Sequence, residues 1–363
     1  MYFLQLQTCA VCTAPFSTCQ APNRQICRPS ATLALARRLS ILIVYGNRGR
    51  QPSGRPYFSI FAAMLKIGVI GLGDIAQKAY LPVLNRKELE VHLYTRDQVK
   101  LRAIAAQYRF THIHDSLLSL IESGVIAAFV HTATASHEDI LVQLLDNNIH
   151  VFVDKPITYH YESAESLLNS ARDKGLILDV GFNRRHAPAI QNLKALRNVN
   201  MVVMQKNRKS LPATTRTFIF DDFIHVVDTL LYLLPYPIAH IIVNGKKKDG
   251  LLYHVVVQFI FGDGRTAIGI MNRDSGTIEE RLEVFTEAEK QVVRNVTDTS
   301  IMKDKDQIEI GVSDWEPTMN KRGFDGMVDD FLNAVKSGST RHHEHHLITH
   351  KVCEEIVHRL DAL

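Results

Sequence analysis

The chain has 363 residues, 46% hydrophobic and 22% charged, with a formal net charge of +4. That length allows about two domains of ordinary size, and the composition excludes disorder along the whole chain. The charge is uneven: residues 1–63 carry seven arginines, no lysine and no acid, which leaves 35 basic against 38 acidic residues in the rest. A slightly acidic body argues against nucleic acid as the main partner, because phosphate binding needs a basic face.

Residues 1–63 differ from everything after them. Their longest strongly apolar run without charge, 39–45, is far short of the roughly 20 residues a spanning helix needs. No positive charge precedes an apolar core, so a secretory signal is not indicated. Three readings stay open for this segment. Its arginines without acids fit an organellar transit peptide, and Cys9, Cys12, Cys19 and Cys27 have a spacing that could ligate zinc. The reading adopted is an unstructured or mis-started extension, because Met64 directly precedes a well-formed strand. Only Cys353 remains for the body, so no disulfide framework is expected and a reducing cytoplasm suits it.

From residue 65 short apolar strands alternate with amphipathic helices, the pattern of a doubly wound parallel sheet. Strands are predicted at 66–70, 90–94, 111–113, 127–131, 150–153 and 176–180, with helices at 75–84, 98–108, 117–122, 138–145 and 163–174. The rhythm then changes. A strand at 201–205 and a helix at 223–234 are followed by strands at 239–243, 252–261, 266–271, 280–286 and 291–296. Asp263-Gly264 between two of these reads as a hairpin turn, and helices at 324–336 and 347–360 close the chain. The predicted architecture is an α/β Rossmann domain over 64–183, then an α+β domain over 184–363 with a large, mostly antiparallel or mixed open sheet.

Gly71-Leu72-Gly73-Asp74-Ile75-Ala76 is a G-x-G-x-x-A turn between a strand and a helix. The first glycine permits the tight turn, the second lets a pyrophosphate approach the backbone, and Ala76 allows close helix packing. Alone the hexapeptide is a weak signal. In this context it predicts a dinucleotide site.

Further pieces occur in order along the body. Thr132-Ala-Thr-Ala-Ser-His137 follows one strand, Asp154-Lys155-Pro156 ends the next, and Gly181-Phe-Asn183-Arg-Arg185 ends the sixth. Asp221, His225 and Asp228 then fall on one predicted helix. Together these motifs resemble the Gfo/Idh/MocA oxidoreductases, and within them the MviM-type proteins, through Val-Asp-Lys-Pro and the run at 75–82. The resemblance covers residues 64 to about 361. It implies a dehydrogenase acting on a sugar, polyol or related small hydroxy or carbonyl compound. The usual acid before the motif lysine is glutamate; Asp154 preserves the charge and is expected to matter little.

The implied coenzyme contacts are Gly71, Gly73, Asp74, Ile75, Ala76, Thr95, Arg96, Thr132, His137, Lys155 and Asn183. At the end of the second strand, Tyr94-Thr95-Arg96 offers no carboxylate for a ribose 2′-hydroxyl, so NADP is favoured modestly over NAD. Asp97 reads as the cap of the next helix.

By resemblance the catalytic groups are Lys155, Asp221 and His225. Hydride transfer from an alcohol needs a base for the hydroxyl proton and a positive group for the developing alkoxide. Asp221 and His225, spaced i,i+4, share a helix face on which the aspartate can orient the imidazole. Bland alternatives stand beside this: Asp221 as a helix N-cap, His225 as a core group, Asp228 as a surface partner. The histidine-rich run 342–346 is expected to be a solvated loop and no metal site is assigned, while 246–248 reads as a charged hairpin turn. The remaining function classes are a redox-neutral NAD-dependent glycosidase and a non-catalytic dinucleotide sensor. A small-molecule partner, no membrane, no nucleic acid and a homo-oligomer through the second sheet complete the expectations.

Overall fold

The computed structural model describes residues 64–234, 237–339 and 344–363; the cysteine, targeting and extension readings of residues 1–63 lie outside the described residues. Six strands form the first sheet: β1 (Leu65–Ile70), β2 (Leu89–Tyr94), β3 (His112–His114), β4 (Ala127–Val130), β5 (His150–Val153) and β6 (Leu178–Val180). All pair in parallel, in the order β3-β2-β1-β4-β5-β6. The central strands are apolar on both faces, as a sheet covered on two sides requires; β4 is wholly buried. The crossovers carry α1 (Leu81–Leu84), α2 (Gln98–Tyr108), α3 (Leu117–Glu122), α4 (His137–Asp146) and α5 (Tyr161–Asp173). Asp97 caps α2 as expected, accepting from the Lys100 amide at 3.0 Å.

The second half begins with α6 (Pro188–Lys194), β7 (Met201–Asn207), α7 (Thr215–Phe218) and α8 (Ile224–Leu233). Then follow β8 (Ile238–Lys248), β9 (Leu251–Phe261), β10 (Thr266–Asn272), β11 (Glu279–Phe285), β12 (Lys290–Arg294), β13 (Asp298–Lys303) and β14 (Asp306–Ile310). The order is β14-β13-β12-β11-β7-β10-β9-β8, antiparallel except for the β7–β10 pair. Along β10, buried Ala267 and Met271 alternate with half-buried residues, so one face of this sheet packs and the other stays open. Neither β13 nor β14 is among the predicted strands; β14 is only five residues long, exposed throughout, and its alternation is confined to Ile308 and Ile310.

Three helices end the chain: α9 (Thr318–Lys321), α10 (Phe324–Ser337) and α11 (Glu344–Asp361). Although late in sequence, α10 covers a face of the first sheet. Its Phe331 meets Phe129 and Phe152 edge-on, at 5.2 and 5.5 Å between centroids. Cys353, Ile356, Val357 and Leu360 of α11 enter the core shared by α4, α8 and the second sheet.

Three expectations are corrected. Residues 344–346 are the first turn of α11 rather than loop, because His346 belongs to its buried face and lies 2.8 Å from Asp179; 342 and 343 lie outside the described residues. Residues 246–248 continue β8, and the turn is Asp249-Gly250 alone, with φ of 52° and 75° as a type I′ turn requires. The helix expected from 223 starts at Thr215 and contains a wide π turn, Ile219–Phe223. Among the described residues no helix is long and apolar enough to cross a membrane.

Candidate active site

After β1 the chain turns through Gly71-Leu72-Gly73, and residues 74–84 coil as one helix with a wide turn at Ala76–Tyr80. Gly71 has φ +87°, and a Cβ there would lie 2.7 Å from the Thr132 nitrogen, so the fold itself demands glycine. Gly73 differs. A Cβ on it would meet only the His131 carbonyl, at 3.7 Å. The protein leaves that approach clear, as a pyrophosphate against the backbone would need. Buried Ala76 packs the helix on the sheet. These residues fit a dinucleotide. The Gly71 amide donates to the Tyr94 carbonyl at 2.9 Å, which brings Thr95 and the exposed Arg96 beside the same turn. Asp74 is exposed and paired with Lys78 at 2.8 Å.

Strand order reverses between β1 and β4, where ligands of open α/β sheets gather. A cleft of about 810 Å³ lies there. Ile75, Thr132, His137, Asp154 and Lys155 line one wall, and Arg208, Lys209, Asp221, Asp222, His225 and Arg273 the other. Lys155 Nζ donates to the Asp221 carbonyl. Burial lowers its pKa, against the pull of Asp154, Asp222 and Asp221.

Asp154 does not simply preserve a charge. Burial pushes its carboxyl up to about 6, with Lys155 and the Tyr80 hydroxyl, 3.1 Å away, opposing. A Cβ on Gly181 would stand 2.8 Å from both the Asp154 carboxylate and the Tyr80 hydroxyl, so this contact requires the motif glycine.

Two histidines brace the loop after Lys155. His137 Nδ1 lies 3.0 Å from the Pro156 carbonyl and 3.2 Å from that of Ile157, while Nε2 is 3.1 Å from the Thr132 carbonyl. From α11, His350 Nε2 accepts from the Ile157 amide at 3.0 Å, and its Nδ1 donates to the His346 carbonyl at 2.7 Å. The His350 ring is fully engaged with backbone, whereas both His137 nitrogens face carbonyls and the neutral ring donates from one of them. His137, expected to contact coenzyme, lines the cleft and also ties the Thr132 backbone to the loop after Lys155. The structure places Asn183 apart from the cleft lining: it is buried and donates to the Arg322 carbonyl at 2.8 Å.

Asp221 sits inside the wide turn, not at a helix start, so it is no N-cap. Its carboxylate accepts from the Tyr159 hydroxyl at 2.8 Å, and no hydrogen bond joins it to His225. The expected Asp221–His225 orientation is thus absent, because a tyrosine from the loop after β5 reaches the carboxylate first. His225 is half-buried in the cleft wall. Burial, then Arg184, Lys206, Lys155 and Arg208, hold its pKa well below the ordinary value, so the ring is neutral near pH 7. Asp228 is 1% exposed rather than on the surface, held by Arg185 at 2.8 Å and Thr349 at 3.1 Å.

Sequence reasoning missed the charged wall. Lys206 donates to Asp222, whose other oxygen lies 3.2 Å from Arg208 Nε. These cations outweigh burial and hold the Asp222 carboxyl well below its usual range. Behind them Arg184 grips Glu280 through two bonds of 2.7 and 2.6 Å; burial would raise the Glu280 carboxyl, but Arg184 brings it down to about 2. Lys206 and Arg208 alternate at one strand end, a signal available in sequence. Their meeting with Asp222 and Arg273 is not. Glu90, His92 and His112 come within metal-binding reach of one another, but none lines the cleft, and His92 is hydrogen-bonded to Glu90 and His114 at 3.0 and 2.9 Å.

Residues 65–182 match the family model described as the GFO_IDH_MocA oxidoreductase family, NAD-binding Rossmann fold, and residues 188–304 match the YceM-like C-terminal domain. The Salmonella typhimurium protein named "Putative oxidoreductase YceM" is 32% identical over 281 residues, 75% of this chain and 90% of its own. This chain belongs to the Gfo/Idh/MocA family. The family member is therefore an oxidoreductase with an NAD-binding Rossmann fold, as its motifs implied. Myo-inositol 2-dehydrogenase of Thermotoga maritima is 24% identical over 303 residues, covering 76% of this chain and 89% of its own. The crystal structure of the dehydrogenase MviM from Clostridium difficile is 28% identical with a TM-score of 0.77, covering 81% of this chain and 99% of that one.

Proposed function

We propose that this Gfo/Idh/MocA oxidoreductase uses NADP in preference to NAD and acts on a sugar, polyol or related small hydroxy or carbonyl compound. One observation carries the reading: Lys155 and His225 line the same cleft, beside a glycine turn left open for a pyrophosphate. The coenzyme, when bound, exchanges hydride with the substrate carbon. Lys155 stabilises negative charge developing on the reacting oxygen, and its partly desolvated position strengthens that effect. His225, neutral and cleft-facing, accepts the hydroxyl proton on oxidation and returns it on reduction. His137 and His350 hold the loop that carries Lys155. Thr132 and Ile75 line the coenzyme wall.

The substrate class draws support from the polyol named for the Thermotoga relative. Arg96, exposed at the end of β2 with the following Asp97 committed to capping α2, supports NADP. In this reading residues 64–183 bind coenzyme and 184–363 supply substrate contacts, with α10 lying on the coenzyme side. A cytoplasmic homo-oligomer fits the free, buried Cys353 and the open sheet face where Ile242 and Val256 are exposed.

A coenzyme-linked absorbance screen over sugars, polyols and sugar acids tests the proposal. Substrate-dependent absorbance change with NADP is expected. Coenzyme binding with no turnover across the screen, or glycoside cleavage without net coenzyme change, would refute it.

A further inference from the structure

Every carboxylate in the cleft is committed to an internal donor. Asp154 accepts from Tyr80, Asp221 from Tyr159, and Asp222 from Lys206 and Arg208. Among the cleft cations Lys155 and Arg208 are also committed, to the Asp221 carbonyl and to Asp222, but Arg273 is not. Arg273 is 6% exposed, yet its Nε and Nη1 are buried with no hydrogen-bond partner. Its guanidinium lies 5.2 Å from the Phe218 ring centroid and lines the cleft. Asp222 and Asp221 act on its charge without a hydrogen bond to it, and buried N–H donors left without an acceptor are costly unless a bound group supplies one. Lys209 and the partly exposed Arg208 stand at the same wall. The parallel pairing of β7 and β10 sets them together: the Arg208 amide donates to the Asn272 carbonyl at 2.8 Å, and the Leu211 amide to the Arg273 carbonyl at 2.7 Å.

We infer that Arg273, with Arg208 and Lys209, binds an oxyanion carried by the substrate, so that the reacting sugar or polyol is an acid or a phosphate ester rather than a neutral compound. A planar guanidinium with free donors suits either group, since both accept paired hydrogen bonds. The coenzyme does not take this place, because its phosphates belong at the glycine turn on the opposite wall. The inference rests on the oxidoreductase reading above.

Calorimetric titration of the full chain saturated with NADP tests it. The probes are D-gluconate, D-glucose 6-phosphate and inorganic phosphate, with D-glucose as the neutral control. At least one anion binds, at least tenfold more tightly than glucose, and Arg273→Met weakens it about tenfold or more while Arg273→Lys keeps part of the affinity. NADP affinity stays unchanged in both variants. Gluconate binding alone points to a carboxylate, and binding of the two phosphates alone to a phosphate ester. Without any anion, Arg273→Met melts at or above the wild-type temperature, because methionine fills the space without the buried charge; a merely structural arginine would lower it. Anion binding that is equal in Arg273→Met, absent for all three probes, or no tighter than glucose overturns the inference alone. Failure of the wild type to bind NADP or NAD would overturn the oxidoreductase reading and this inference with it.

Discussion

The Tyr159 hydroxyl holds the Asp221 carboxylate at 2.8 Å, although His225 stands one turn along the same helix. The same aspartate gives its backbone carbonyl to Lys155. Tyr159 therefore acts on Lys155 through the segment carrying Asp221, as a positioning residue. In Tyr159→Phe the turnover number should fall about tenfold, the worth of one hydrogen bond to a charged group at roughly 1.5 kcal/mol. NADP affinity should hold, and steady-state kinetics beside a coenzyme titration read the two separately. Equal losses in both would show a general structural role instead.

Lys155→Met should reduce turnover by about 10²–10³, the usual scale of removing one electrostatic stabiliser, while coenzyme binds within a few-fold of wild type. For His225 the pH profile is the sharper test. Its pKa is held well below the ordinary value by burial and then by Arg184, Lys206, Lys155 and Arg208. In the oxidation direction kcat/KM of the wild type should thus stay level through neutrality and fall only on the acid side. A limb near pH 6.5, as an unperturbed histidine would give, would contradict this placement of His225.

The two glycines of the coenzyme turn should separate stability from binding. Gly71→Ala forces a Cβ to within 2.7 Å of Thr132 at φ +87°, so the melting temperature should drop. Positive φ alone costs about 1–2 kcal/mol for a residue with a Cβ. Gly73→Ala meets nothing closer than 3.7 Å in the protein, so it should melt like wild type and still lose coenzyme affinity. Should Gly73→Ala bind coenzyme normally, the pyrophosphate does not approach there.

Arg96 is exposed at the end of β2, where a 2′-phosphate would lie. Arg96→Ala should weaken NADP binding by about tenfold, one charge-assisted contact, and leave NAD nearly untouched. Titrating both coenzymes decides the point; parallel losses, or none, would leave Arg96 as a loop charge.

His350 links pH to stability through the loop after Lys155, whose Ile157 amide donates to it. Burial brings its pKa down to about 4, against an ordinary value of about 6.5 for the unfolded chain. Between those values the unfolded chain binds more protons, so this contribution is complete above pH 6.5 and is lost as pH falls towards 4. The loss amounts to roughly 3 kcal/mol. Asp154, raised to about 6, works in the opposite sense over part of this range, but it does so in wild type and variant alike. His350→Gln should therefore lose stability less steeply than wild type between pH 6.5 and 4 in denaturant titrations. Identical slopes would mean that His350 does not carry this dependence.

Local chemistry made the first half of the fold readable from residues 65 to 182. Apolar strands, a glycine turn and helix caps such as Asp97 each act over a few residues, so their spacing already states the strand–helix rhythm. The second sheet was harder, because its outer strands β13 and β14 are short and little buried and its parallel β7–β10 pair joins segments some 60 residues apart. The motif residues Lys155 and His225 were legible, and the cleft that unites them follows from the sheet reversing at β1 and β4. What each charged group does was decided only by tertiary contacts. Tyr159 takes Asp221 from His225, backbone carbonyls and amides engage His137 and His350, and Arg322 engages Asn183. Side-chain hydrogen bonds are satisfied by whichever partner burial brings within reach, and spacing along one helix cannot say which partner that is. The guanidinium of Arg273 belongs to the same class, since only the packed structure shows that its buried Nε and Nη1 find no acceptor.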